Sequence, residues 1–202
     1  MSEVIVHHWP RDRAAALAAL IKGDVPVLLQ FATPQTTQRD AARAAVRDAL
    51  CVLLADYLGC APEAVPLVCL PGQALRLDVP GALPGISVSH EAGISLVALD
   101  AHGASGIDVM RLEDLPDWRE VASDYLGAAA CRHIAASAPQ ERAQVFAAAW
   151  TRMEARLKCL GLALTEWTPT LERLLERCGA QSFMPAPGVV ATLAWRRTHD
   201  PS

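Results

Sequence analysis

The chain has 202 residues, 52% of them hydrophobic and 20% charged, with a net charge of -4. That suits one large domain or two smaller ones with real cores, and it excludes a disordered, collagen-like or coiled-coil chain. Mild acidity leaves no footprint for nucleic acid, no apolar run is long enough to span a bilayer, and the start MSEVIVHHWPRDR lacks the basic-then-apolar pattern of an export signal. The expectation is a cytoplasmic protein without nucleic-acid or membrane partners.

In chain order, residues 11–21 are rich in Ala and Leu and predict a helix, stopped at Lys22-Gly23-Asp24. Residues 25–31 form a short apolar run bounded by Pro34 and predict a strand. Over 36–58 the apolar positions Ala42, Val46, Leu50, Leu53, Leu54 and Tyr57 keep helical spacing, and Gly59 suits the C-terminal cap. A turn-rich connector over 62–84 has room for short strands at 65–70 and 74–77. Residues 86–90 alternate, Glu91-Ala92-Gly93 turns, and 94–99 alternate back, which predicts a β-hairpin. After a polar link at 100–104, residues 106–110 predict a third strand.

The second half reads as mostly helical, with segments at 118–126 and 131–137. A long helix is expected to open at Ser137-Ala138-Pro139-Gln140, as a capping box, and to run to Leu160 before Gly161. A short helix over 171–178 and a final strand over 188–195 complete the chain. Strands and helices do not interleave regularly, so the fold class is α+β rather than a doubly wound sheet. None of the six cysteines stands in a Cys-x-x-Cys pair, and most lie among apolar residues, where a thiol behaves as a small hydrophobe.

Three places can carry chemistry. On the long helix, Trp150, Glu154, Leu157 and Lys158 share one face, which puts a carboxylate and an ammonium at the buried side. Taken alone, Glu154 and Lys158 make an ordinary helical pair worth a few tenths of a kcal/mol, roughly. Yet Lys22 and Lys158 are the only lysines in an arginine-rich chain. A solvated pair works with arginine as well, whereas a site needing a compact ammonium does not. Asp108 sits on an apolar strand, either as a plain strand-end hydrogen-bond acceptor or as a carboxylate ligand for Mg²⁺ shared with substrate phosphates. Ser89-His90, at the hairpin tip, is a polar turn or a phosphate contact. No Gly-x-Ser-x-Gly elbow and no glycine-rich phosphate loop is present.

In order and spacing the three places are more specific than any one of them. Ser-Val-Ser-His at 87–90, Gly-Ile-Asp-Val-Met at 106–110 and Trp-Thr-Arg-Met-Glu-Ala-Arg-Leu-Lys at 150–158 resemble the 4'-phosphopantetheinyl transferases. The likeness is to the longer, pseudo-dimeric kind that primes polyketide, nonribosomal peptide and fatty-acid carrier proteins. It is strongest over 83–164, looser over 43–58 and poor over the first thirty residues. It implies two similar α+β halves related by a pseudo-twofold, residues 1–102 and 103–202, with the second half carrying the carboxylates. A monomer would then suffice.

The resemblance also implies roles. Asp108 and Glu154 match carboxylates that hold Mg²⁺, with Mn²⁺ as a substitute, on the pyrophosphate of coenzyme A. Lys158 matches a lysine on the phosphates, and Ser89 and His90 match phosphate-binding residues. Arg43 or Arg47 matches a basic residue near the adenosine end. The reaction would transfer phosphopantetheine from coenzyme A to a serine of an apo acyl or peptidyl carrier protein. Glu154, or a water held by the ion, would be the base. Arg111, Arg119, Arg132, Arg152 and Arg156 are candidates for docking an acidic carrier.

Three departures stand against the family pattern. Met153 replaces a lysine before the helix glutamate, Met110 replaces a glutamate after the aspartate, and Gln73-Ala74 replaces a Lys-Pro. If Met153 merely removes a cation from the cleft, Met153→Lys holds or raises activity. The departures also support an alternative: a catalytically weak or inactive relative that binds coenzyme A or a carrier.

Overall fold

A computed structural model describes residues 4–35, 39–69, 75–78 and 84–196. The chain divides into two compact units, residues 1–105 and 106–202.

The first unit contains β1 (Val6–His8), α1 (Arg13–Lys22), β2 (Val27–Ala32), α2 (Arg39–Leu58), a 3-10 turn (Pro62–Ala64), β3 (Leu67–Val68), β4 (Arg76–Leu77), β5 (Gly85–Glu91) and β6 (Ile94–Asp100). Its main sheet has the order β1-β2-β6-β5. β1 joins β2 in parallel, and the remaining pairs are antiparallel. β5 and β6 form the expected hairpin, closed by Ala92 and Gly93, and Gly93 takes a left-handed φ of 82°. Every residue of β6 from Ile94 to Leu99 is buried, as befits a central strand covered on both faces.

One face of this sheet makes the core. Leu29, Phe31, Val97, Leu99 and Ile86 meet Ala16 and Leu20 of α1 and Val46, Leu50, Leu53 and Leu54 of α2. The helical spacing of the α2 residues turns one apolar stripe toward the strands, and each fully buried leucine is worth about 1.5–3 kcal/mol. Arg13 on α1 reaches Asp56 on α2 through its Nε at 2.9 Å. Part of the expected strand regions, residues 70–74, lies outside the described residues. β1 was not expected: three residues are too few to show a period.

The second unit contains β7 (Ser105–Arg111, beginning at the boundary), α3 (Trp118–Val121), a π turn (Ala122–Leu126), α4 (Gly127–Ala136), α5 (Arg142–Leu160), α6 (Pro169–Leu175), β8 (Cys178–Ala186) and β9 (Val189–Arg196). The sheet order is β7-β9-β8. α5 lies across β9 and β8.

Two expectations need correction here. The long helix starts at Arg142, not at Ser137. The Ser137 hydroxyl donates backward to the Ile134 carbonyl at 2.7 Å, so it finishes α4 rather than opening α5. The last helix ends at Leu175, and Cys178 already belongs to β8. Thr168 caps α6 by accepting from the Leu171 amide at 3.1 Å, with Pro169 in the first turn.

Aromatic rings pin the connections. Trp9 packs on Phe31 in the first unit, with ring centroids 5.9 Å apart. In the second, Trp150 sits between Tyr125 and Phe146 at 5.8 and 6.0 Å, and Trp118 takes the guanidinium groups of Arg119 and Arg142 at 4.6 and 5.4 Å. The segment after α5 returns to the π turn, where the Trp167 amide donates to the Asp124 carbonyl at 2.7 Å. Its indole covers Gly127, leaving no room for a side chain there. All six cysteines are free thiols. Among the described residues, no helix is long and apolar enough to cross a membrane. The architecture is mixed α+β, as the sequence predicts.

Candidate active site

The site grows from the meeting of β7 and α5. A Cβ on Gly106 would overlap the Ala155 carbonyl oxygen and approach the Cys159 amide nitrogen to 2.7 Å. Glycine is therefore required for the strand to lie against the helix backbone. The surrounding contacts are small as well: Ala155, Cys159, Cys178 and Ala194 form one buried cluster. Alternation along a strand puts Gly106 and Asp108 on the same side, so the close approach delivers Asp108 to α5. Ile107 and Val109 are buried on the other side.

Lys158 completes the contact. Its Nζ lies 2.7 Å from Asp108 Oδ1 and 3.1 Å from the Ile107 carbonyl oxygen. The Asp108 side chain is 9% exposed and the Lys158 side chain 30%, so the pair sits at the rim of the buried interior. Glu154, one turn earlier on α5, faces the same place. Burial, and then the nearby Asp108 charge, push its carboxyl above the usual glutamate range, while Lys158 pulls the other way. Two carboxylates and one ammonium leave a formal charge of about -1.

A chain of hydroxyls holds α5 in register. Thr151 Oγ1 donates to the Ala147 carbonyl at 2.8 Å and lies 2.8 Å from Thr192 Oγ1 on β9, which lies 2.8 Å from Ser182 Oγ on β8. Thr151 and Thr192 are fully buried. Thr151 precedes Lys158 by two helical turns on the same face, so the polar anchor and the ammonium are set by one helix orientation.

The oxygen donors are few and hard. Met110, two residues beyond Asp108, packs its thioether against the Trp118 cluster and supplies no oxygen. Among the described residues there is no group of three or more His, Cys, Asp or Glu side chains arranged for a metal. Two carboxylates without a third are the donor set of a hard divalent ion that fills its shell with water and phosphate oxygens.

Met153 lies away from any cleft that a cation could serve. Met153 is not beside the carboxylates but in an apolar cluster with Leu157, Leu171 and Leu175, 6% exposed. It is a core residue, and a lysine there would be buried rather than offered to a substrate.

The other expected site residues lie in the first unit. Ser89 and His90 are neighbours on β5 and therefore point to opposite faces. Ser89 is buried beside Leu96, its cross-strand partner. His90 pairs with Ser95 and sets Nδ1 2.7 Å from its hydroxyl, which donates to Thr33 Oγ1 at 3.3 Å. Arg43 is exposed on α2 and pairs with Asp40 at 3.3 Å. Arg47 donates to the Leu67 carbonyl at 2.8 Å, tying α2 to β3. Gln73 lies outside the described residues.

Sequence reasoning overlooks Gly106, Thr151, Thr192 and Ser95. The Ser95 signal was available: a two-residue hairpin loop at 92–93 pairs residue 95 with residue 90, which puts a lone serine of an apolar strand against the histidine. Thr151 and Thr192 meet only in three dimensions.

Residues 104–183 match the family model of the 4'-phosphopantetheinyl transferase superfamily. No curated protein matches the chain. The matched stretch is similar to that superfamily and contains Asp108, Glu154 and Lys158.

Proposed function

We propose that the protein transfers phosphopantetheine from coenzyme A to a serine of an apo acyl or peptidyl carrier protein, with Mg²⁺ held by Asp108 and Glu154. One observation carries the reading. Within the stretch similar to that superfamily, β7 and α5 bring two carboxylates and the lysine Lys158 to one place at the rim of a buried interior.

The donor set fits such an ion: hard oxygens, only two from protein, in a site of negative formal charge. When bound, the ion supplies charge neutralisation at the pyrophosphate. The remaining work belongs to the chain. Asp108 is fixed by its position on β7 beside Gly106. Glu154 has a carboxyl raised by burial, which suits it to accept the proton of the carrier serine hydroxyl. That oxygen attacks the β-phosphorus of coenzyme A, and adenosine 3',5'-bisphosphate leaves. Lys158 carries its charge on a four-carbon stem and can move from Asp108 to a phosphate oxygen of the leaving group. His90, held by Ser95, serves a coenzyme phosphate, and Arg43 or Arg47 serves the adenosine end.

The test is to incubate the protein with coenzyme A, Mg²⁺ and several apo carriers and read intact masses. One phosphopantetheine gained on a carrier serine, lost with chelator, is expected. Glu154→Gln should lower transfer by about 100-fold or more while keeping the fold. Wild-type rates in that variant would remove Glu154 from the site.

A second reading keeps the fold without the transfer. Met110 favours it, since a thioether stands where many superfamily members place a third carboxylate. No mass gain on any carrier, with coenzyme A still binding, would establish this alternative.

A further inference from the structure

β5, β6 and β2 carry a polar spot at one end of an otherwise apolar face. Ser95 on the central strand β6 pairs with His90 on β5 and with Phe31 on β2. Its neighbours on that face of β6, Val97 and Leu99, belong to the core. Ser95 is fully buried, so its hydroxyl has to be satisfied inside the protein. It lies 2.7 Å from His90 Nδ1 and donates to Thr33 Oγ1 at 3.3 Å.

Proton counting gives the consequence. A serine hydroxyl has a single hydrogen. With that hydrogen toward Thr33, the Ser95 oxygen accepts, and the hydrogen of the short contact sits on Nδ1. A neutral imidazole carries its N–H on one nitrogen only, so Nε2 is left with a lone pair. A phosphate oxygen needs a donor. Nε2 becomes one when the ring takes a second proton and turns into a cation. The 2.7 Å contact also suits a charged ring, whose hydrogen bonds are shorter and roughly twice as strong as neutral ones.

We propose that Ser95, oriented by Thr33, is a positioning residue that holds His90 as the Nδ1–H tautomer, so that coenzyme A binding at His90 takes up a proton. The proton comes from the buffer and goes to Nε2. This rests on the reading above that His90 meets a coenzyme phosphate, and it adds the protonation state in which the ring does so. Beside His90 on β5 stands Glu91, one of whose carboxylate oxygens accepts from the Ala92 amide at 2.9 Å. α2, which packs against β5, brings Arg39, Asp40, Arg43, Arg47 and Asp48 in its first half. Of these, Arg43 is engaged by Asp40 and Arg47 by the Leu67 carbonyl. β2 from Val27 to Ala32 and β6 from Ile94 to Leu99 contribute no charged side chain.

Two measurements test this at about pH 8, where an ordinary imidazole is neutral. The first is NMR of protein with isotopically labelled histidine rings, with His90→Gln identifying the signal. His90 should carry its hydrogen on Nδ1. Ser95→Ala and Thr33→Val should each move it toward Nε2. The first removes the acceptor, and the second leaves the serine hydrogen free to turn to Nδ1. A serine that only fills space would not respond to Thr33→Val, which keeps its hydroxyl. The second is calorimetry of coenzyme A binding without Mg²⁺, in buffers of different ionisation enthalpy. Proton uptake by wild type should exceed that by His90→Gln by roughly one proton per coenzyme A, and Thr33→Val should fall between them. His90→Gln should bind coenzyme A roughly tenfold more weakly.

An Nε2–H ring in the wild type would overturn the proposal. So would a tautomer unmoved in both Ser95→Ala and Thr33→Val, or equal proton uptake in wild type and His90→Gln. Coenzyme A bound no better by wild type than by His90→Gln would mean that His90 meets no phosphate, and the proposal would fall with that part of the site. Failure to prime any carrier, with tautomer and proton uptake as expected, would remove the transfer and leave this proposal standing.

Discussion

The two units use the same succession of elements to different ends. Each has a strand, then a long helix, then a hairpin whose second strand lies beside the first strand: β2-β6-β5 in one, β7-β9-β8 in the other. The long helices have 20 and 19 residues, and each is followed by a glycine at a φ of 69°. The filling between helix and sheet differs. α2 presents Val46, Leu50, Leu53 and Leu54 to large apolar strand residues. α5 presents Thr151, Ala155, Lys158 and Cys159, and Gly106 sits against its backbone. Bulky side chains hold a helix off its sheet and stabilise by burial, whereas small ones let backbones close in and put polar groups within bonding distance. The first unit has spent its helix–sheet contact on core, and the second on bringing charges together.

The sharpest way to break that contrast is Gly106→Val. It forces a side chain into the α5 backbone and should destabilise the second unit by about 3 kcal/mol or more, while transfer disappears. Hydrogen exchange should show the loss over 106–196 and leave the protection of β2, β6 and α2 in place. Equal loss in both units would mean that they do not unfold separately.

Met153→Lys comes next. An ammonium placed among Leu157, Leu171 and Leu175 should cost about 2–3 kcal/mol, read as a lower denaturation midpoint. A neutral or stabilising result would mean that position 153 reaches solvent.

The Glu154 carboxyl gives a smaller effect that depends on pH. Its folded-state pKa is raised by burial and by Asp108, so folding favours the protonated form. Its contribution is fully present below the ordinary glutamate range and is lost as pH rises through the raised value. Glu154→Gln should therefore melt higher than wild type at pH 7, by about 2–4 °C at most, with the difference closing toward pH 4. A constant gap across pH would assign the effect to packing instead.

The smallest change is Thr151→Val. It keeps the shape and removes the hydroxyl link to Thr192, at a cost of about 1 kcal/mol. Transfer should fall more than that figure implies, since the link sets the register of Lys158, and Thr151→Ser should restore it.

Much of this arrangement is legible in the sequence, and the exceptions have physical reasons. The apolar stripe of α2 and the alternation of β5 and β6 follow from local periodicity, which needs no partner to be seen. β8 does not: it contains Gly179, Ser182 and Pro185, and its pairing shifts register between Phe183 and Ala186, so no alternation survives. The π turn at 122–126 has no compositional mark. Ser137 is a good helix opener by type, but the same hydroxyl serves equally well to finish the helix before it. At the site, Asp108, Glu154 and Lys158 stand out through the order of their motifs. Met153 is not legible in the same way, because a missing charge is not a missing contact: its helix face is committed to the core.

The placement of tryptophans has a spectroscopic consequence. Four of the five, Trp118, Trp150, Trp167 and Trp195, belong to the second unit, and Trp9 alone belongs to the first. Intrinsic fluorescence is therefore weighted toward the unit that carries the acidic pair. Trp9→Phe would leave an emission signal from that unit alone, so one cuvette could follow it without any attached label.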